Sequence, residues 1–223
     1  MGKKIFITGG CGYKGGKIVP LLLEHGHSVF VYDTAWFGNF LPNHPKLTVE
    51  YGDVRNMSKV SLDGFDTVIH LASVANDPCG DLNPSITWDI SVLSTKQLAE
   101  MAVASGVNNF IYASSGSVYG LSESEKVTEK EPLVPISIYN KTKMCAERIL
   151  LSYSEKLSIK IIRPATVCGL SERMRLDVAV NMLSYQALQN KKITVLGGEQ
   201  IRPNIHIDDL ANLYLFFVEA EDK

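Results

Sequence analysis

Short runs of β-branched and aliphatic residues recur along the chain, separated by longer stretches in which apolar positions return every three or four residues. The runs at 5–8, 28–33, 47–51, 67–71, 110–113 and 159–163 read as strands, and several, Ile5-Phe6-Ile7 and Val29-Phe30-Val31 among them, are apolar without alternation. Strands with no polar face are strands covered by helices on both sides. The longer periodicities predict helices over 14–25, 57–62, 85–105, 137–156, 177–190 and 208–219. Strand and helix alternate, so right-handed crossovers wind the strands into a doubly wound parallel α/β sheet. Beyond Arg163 the alternation loosens around Gly169, Gly197-Gly198 and Pro203. The expected organisation is a sheet domain over 1–163 and a partial substrate lobe over 164–223, interleaved with a final helix of the sheet domain. The charged segment 122–135, bracketed by Gly120, Pro132 and Pro135, reads as a surface loop able to overhang a site.

Composition narrows the partners. The 223 residues carry a net charge of −2 with dispersed basic residues, which gives no footprint for nucleic acid or an anionic membrane surface. A small molecule is the expected partner. No apolar run approaches the length of a membrane span, and a first strand beginning near Lys3 leaves no room for a leader, so a cytoplasmic location is expected. Cys11, Cys79, Cys145 and Cys168 lack the paired spacing of a metal site, which predicts reduced thiols and no metal. His25-Gly26-His27 reads as the stop of the first helix.

Chemistry concentrates at the strand ends. Thr8-Gly9-Gly10-Cys11-Gly12-Tyr13-Lys14-Gly15 joins the first strand to the first helix. Gly9, Gly12 and Gly15 suit a tight turn, a close approach of backbone to pyrophosphate, and close packing of helix on strand, the arrangement of a Rossmann dinucleotide site. Asp33 ends the second strand, where a carboxylate accepts from both ribose hydroxyls and repels a 2′-phosphate, favouring NAD over NADP. Asp53, in Gly52-Asp53-Val54-Arg55, can accept from the adenine amino group or start a turn. His70-Leu71-Ala72-Ser73 ends the fourth strand with small residues that let backbone approach the cofactor, while His70 itself reads equally as packed or functional.

Tyr139 and Lys143 stand four residues apart at the start of a predicted helix and so project from one face. A phenol titrates near pH ~10, so service as a base at neutral pH requires roughly 3 units of help, which a nearby ammonium can supply in part. Ser114-Ser115 ends the fifth strand at the same sheet edge, where the Ser115 hydroxyl can bind a reacting oxygen.

These motifs, together with Ser114-Ser115-Gly116-Ser117-Val118-Tyr119-Gly120 and Arg202-Pro203-Asn204-Ile205-His206-Ile207-Asp208-Asp209-Leu210, resemble the extended short-chain dehydrogenase/reductase superfamily. Within it, the chain resembles the nucleotide-sugar epimerases typified by UDP-glucose 4-epimerase, over Lys3 to about Glu219. The resemblance implies Tyr139 as catalytic acid/base, Lys143 as the residue that binds ribose and lowers the tyrosine pKa, and Ser115 as the group aligning the reacting hydroxyl. NAD is then held by Gly9, Gly12, Tyr13, Lys14, Gly15, Asp33, Asp53, Val54, Leu71, Ala72, Ser73, Tyr139 and Lys143. A nucleotide-sugar substrate is met by Ser115, Ser117, Asn181 and Arg202, the arginine contacting the diphosphate. The 4,6-dehydratases of this superfamily carry an Asp-Glu pair where this chain has Gly116 and Ser117, which points to epimerisation through a transient keto-sugar. A dehydrogenase or reductase, or a non-catalytic NAD-binding homologue, are the competing readings. The resemblance departs at Thr166, which replaces an asparagine of the 4-epimerases, and at the C-terminus, where family members continue past Leu210 into a larger lobe. It further implies a homodimer through the helices at 85–105 and 137–156.

Overall fold

Six strands, β1 (Lys4–Thr8), β2 (Ser28–Asp33), β3 (Leu47–Tyr51), β4 (Thr67–His70), β5 (Asn109–Ala113) and β6 (Ser158–Ile162), form one sheet. Their order is 3-2-1-4-5-6, with every neighbouring pair parallel. The structure, a computed structural model, describes residues 2–122 and 126–220. The order reverses between β1 and β4, and the crevice beyond the carboxyl ends at such a reversal is where doubly wound sheets take ligands.

Hydrophobic burial fixes that edge from both sides. One face carries α1 (Gly15–Glu24), whose Ile18 and Leu22 meet Leu210 and Tyr214 of α7 (Ile207–Glu219) over β1 and β2. The opposite face carries α4 (Ser94–Ala104) and α5 (Ile138–Leu151), with Leu98, Ala102, Ala146 and Leu150 packed on Phe110 and Tyr112. Each large side chain buried this way contributes about 1.5–3 kcal/mol. A smaller parallel pair, β7 (Thr166–Cys168) with β8 (Asn204–His206), stands outside the main sheet, and α6 (Ala179–Asn190) lies between them in the chain.

Several elements differ from the sequence expectation. Residues 57–62 form turns instead of a helix, with Asn56 and Ser61 bonded to the local backbone at Ser58 and Asp63 in place of a helical ladder. Met57 and Leu62 are nonetheless core residues, each 1% exposed. The helix expected over 85–105 is α3 (Pro84–Trp88), a π turn at Asp89–Leu93, and then α4. Ser94 and Thr95 back-bond to the carbonyls of Ile90 and Ser91, which accompanies this widened turn. The short α2 (Asp77–Leu82) is unexpected because Pro78 and Gly80 argue against a helix; Asn76 starts it by accepting from the Cys79 N–H at 2.9 Å. The 122–135 segment is irregular and mostly exposed, with 123–125 outside the described residues. The last residues of the expected lobe, 221–223, lie outside them as well.

Candidate functional site

Glycine chemistry shapes the floor of the crevice. Gly9 has φ of +75°, and a Cβ there would stand 2.5 Å from the Ala72 nitrogen, so β1 and β4 meet this closely only around glycine. A Cβ on Gly15 would stand 2.1 Å from the Gly10 carbonyl oxygen, which ties its role to seating α1 on the turn. Gly12 differs: a Cβ there meets only the Gly9 oxygen, at 3.3 Å. Its bare backbone lies beside the start of α1, where the Gly16, Lys17 and Ile18 N–H groups donate to the Gly12 and Lys14 carbonyls and the helix dipole favours an anion.

From this floor a cleft of ≈ 520 Å³ opens along the carboxyl ends of the strands. Gly9, Gly12, Tyr13 and Lys14 line it from the turn, Asp33 from β2, Asp53 and Val54 from the segment after β3, and Leu71, Ala72 and Ser73 from the segment after β4. Tyr139 and Lys143 line it from α5. The sequence-predicted cofactor residues are thus brought together, with Gly15 just beneath. Asp33 also organises the turn: its carboxylate accepts from the Cys11 N–H at 2.9 Å and the Ala35 N–H at 2.8 Å. Asp53 is gripped by Arg55, whose guanidinium and backbone N–H both donate to it, so the turn-forming role is realised. His70 is packed: Thr8 and Thr95 hydroxyls bracket its ring at 2.6 and 3.0 Å, and burial pushes it down to about 3, which keeps it neutral.

Tyr139, Lys143 and Glu147 form a stripe along α5, one turn apart. The Lys143 ammonium donates to the Ala113 carbonyl at 2.7 Å and lies 4.9 Å from the Tyr112 ring centre and 5.8 Å from that of Tyr139. Burial, reinforced by Lys14, brings Lys143 down to about 7. Burial likewise brings Lys14 down to about 8, with Arg175 contributing. Burial pushes the Tyr139 phenol up, and the groups pulling it back are the Arg175 guanidinium and a hydrogen bond with Ser115. The sequence expectation gave that electrostatic task to Lys143. In this arrangement the pull comes from Arg175 and Ser115, while the Lys143 ammonium is anchored to the Ala113 carbonyl.

Ser115 starts the short 3₁₀ turn Gly116–Tyr119 after β5, and its hydroxyl bonds that of Ser117 at 2.7 Å; Ser117 in turn donates to Asn140. Neither serine lines the cleft, but Ser115 reaches it through the phenol. Asn181 is buried and spent on structure, donating to the Tyr13 phenol at 3.2 Å and the Arg175 carbonyl at 2.9 Å and accepting from the Gly169 N–H at 3.0 Å. Arg202 is exposed and lies away from the cleft.

The structure also adds residues that the pattern does not single out. Arg173, Arg175 and Asp177 line the cleft from the segment between β7 and α6. Arg175 pairs with Asp177 through two contacts of 2.8 Å and holds its carboxyl down to about 2. Asn76, at φ 75° and ψ 163°, donates to the same carboxylate at 2.6 Å. Trp36 and Phe37 line the cleft from beyond β2. The one available signal was Arg173-x-Arg175-x-Asp177, an alternation that equally describes an exposed strand.

Comparison with known proteins agrees with this geometry. The model of the NAD dependent epimerase/dehydratase family matches residues 5–223. The UDP-glucose 4-epimerase of Corynebacterium glutamicum is 28% identical, with the alignment covering 98% of this chain and 72% of that protein. The UDP-N-acetylglucosamine 4-epimerase of Methanobrevibacter ruminantium M1, solved in complex with UDP-N-acetylmuramic acid, superposes with a TM-score of 0.90 at 26% identity, covering 100% of this chain and 74% of that one. MoeE5, solved in complex with UDP-glucuronic acid and NAD, superposes with a TM-score of 0.88 at 28% identity, covering 99% and 73%. With a 3-2-1-4-5-6 sheet, a bare glycine cradle at its switch point and a tyrosine–lysine stripe beside it, this chain belongs to the NAD-dependent epimerase/dehydratase family.

Proposed function

We propose that the chain epimerises a nucleotide-diphosphate sugar at one carbinol centre by way of a transient keto-sugar. The residues present fit NAD: Gly12 leaves the space that a pyrophosphate fills, and Asp33 stands at the β2 end with acceptor capacity left for ribose hydroxyls. When bound, NAD supplies the hydride acceptor and donor. The chain's own residues handle the proton. Tyr139 takes it from the sugar hydroxyl and returns it, Ser115 holds the reacting oxygen against the phenol, and Arg175 favours the phenolate that the first step requires. Lys143, anchored to the Ala113 carbonyl, offers its remaining N–H groups to the ribose beside the reaction centre.

The observation that favours epimerisation over dehydration is the distribution of carboxylates. Losing water from a hexose calls for an acid and a base besides the tyrosine. Among the described cleft-lining residues the carboxylates are Asp33, Asp53 and Asp177, each already held by backbone N–H groups, Arg55 or Arg175. The turn beside Tyr139 offers Gly116 and Ser117 instead, and Ser117 is committed to Asn140.

The test is a panel of sugar nucleotides incubated with the purified chain and followed by NMR. The expected result is interconversion of two epimers without net NADH, reduced by about 10²–10⁴-fold in Tyr139→Phe while NAD still binds. Stoichiometric NADH would assign a dehydrogenase instead, and full turnover in the variant would remove Tyr139 from the mechanism.

A further inference from the structure

Residues 169–177 are fastened to the floor of the cleft and reach both of its walls. On the floor, the Tyr13 phenol donates to the Gly169 carbonyl at 2.8 Å, and the Ser171 hydroxyl donates to the Tyr13 carbonyl at 2.9 Å. A Cβ on Gly16 would meet the Ser171 oxygen at 2.6 Å, so the segment lies directly on the first turn of α1. On the β4 wall, Arg175 and Asp177 are tied to Asn76. On the β2 wall, the Arg173 guanidinium lies 3.9 Å from the centre of the Phe37 ring.

The last contact is made by groups that gain little by it in the folded chain alone. Phe37 is 66% exposed, and its neighbour Trp36 is 70% exposed, with no core to join. A guanidinium stacked on an aromatic face presents a flat, π-rich and cationic surface, complementary to a purine. It stands at the end of the cleft that Asp33 marks, where the ribose next to the adenine would lie.

We propose that Phe37 and Arg173 form a clasp over the adenosine end of NAD, and that opening this clasp sets how long the cofactor stays bound. The clasp joins the loop after β2 to the segment after β7, so the cofactor is enclosed by two parts of the chain that this stack links on that side. This inference rests on the cleft being the NAD site and is independent of which sugar reaction follows.

The experiment loads the full chain with NADH, chases with excess NAD, and follows loss of the bound-NADH fluorescence; no sugar is present, so failure of the epimerase reading leaves the result interpretable. Arg173→Ala and Phe37→Ala are each expected to speed release by about tenfold. The double variant is expected to release no faster than either single one, because both remove the same contact. Arg173→Lys, which keeps the charge and loses the plane, is expected to behave like Arg173→Ala. Unchanged release in both single variants would overturn the proposal, as would a double variant whose effect is the product of the singles, or a lysine variant that releases at the original rate. Thermal melts of each variant confirm that a faster release is measured on folded protein.

Discussion

Lys143 keeps an ammonium where water scarcely reaches it, at 2% exposure, and this carries a pH signature. An unfolded lysine holds its proton to about pH 10.4, whereas the buried one, lowered by desolvation and by Lys14, releases it near about 7. Between those values the unfolded chain binds more protons, so stability rises with pH; below about 7 both states are charged and the burial penalty is complete. Lys14 acts with the same sign from about 8. The raised phenols of Tyr112, Tyr139 and Tyr214 act oppositely, and only in the alkaline range. The melting temperature of the ligand-free chain should therefore climb from about pH 7 to about pH 9, and Lys143→Met should flatten the climb. A variant with the same slope as the parent would show that Lys143 is not the titrating group. Spacing alone revealed the Tyr139/Lys143 pair, since four residues is one helical turn. Arg175 stayed hidden because its influence on the phenol depends on where a loop 36 positions later returns.

Among the elements, α5 does two tasks with one face. Tyr139 and Lys143 serve the cleft, and Glu147 fastens the helix to the sheet, accepting from Ser114 and, through two N–H groups at 2.9 and 2.6 Å, from Arg163. Arg163 also donates to the Tyr119 phenol at 2.8 Å, linking the turn after β5 to the same anchor. Glu147→Ala leaves a largely buried guanidinium without its carboxylate and should cost about 3 kcal/mol, read by urea unfolding. Pairing it with Arg163→Met should recover most of that loss, because the unpaired charge is then gone. A single variant as stable as the parent would rule out the anchor. This stripe is legible as i, i+4, i+8 once its helix is placed, whereas the π turn before α4 is not. The turn accompanies the back-bonding of Ser94 and Thr95, residue types that a helical periodicity tolerates without comment.

For the molecule as a whole, the parallel sheet and the position of its switch point follow from continuous apolar strands alternating with amphipathic helices. The contacts that enclose the cleft do not. Asn76 and Asp177 are 101 positions apart, and Tyr13 and Ser171 are 158 apart, separations over which no periodicity operates. The homodimer implied by the family resemblance belongs to this scale. Leu93, on the π turn, is 58% exposed, and Leu151, ending α5, is 52% exposed, on the two helical segments expected to meet a second copy. Sedimentation should give a dimer that Leu93→Glu together with Leu151→Glu converts to monomer; a monomer at every concentration would remove the expectation.

The last described helix has a consequence for how the chain comes into being. α7 covers the β1 face together with α1, placing Leu210, Tyr214 and Val218 in the core and receiving Lys3 and Asn109 at the carbonyls of Val218 and Phe217. Strand β1 leaves the ribosome roughly 200 residues ahead of α7, the helix that completes its cover. While the intervening chain is being made, that side of the nascent sheet is covered by α1 alone, so chaperone engagement should persist until the thirteen-residue α7 has emerged.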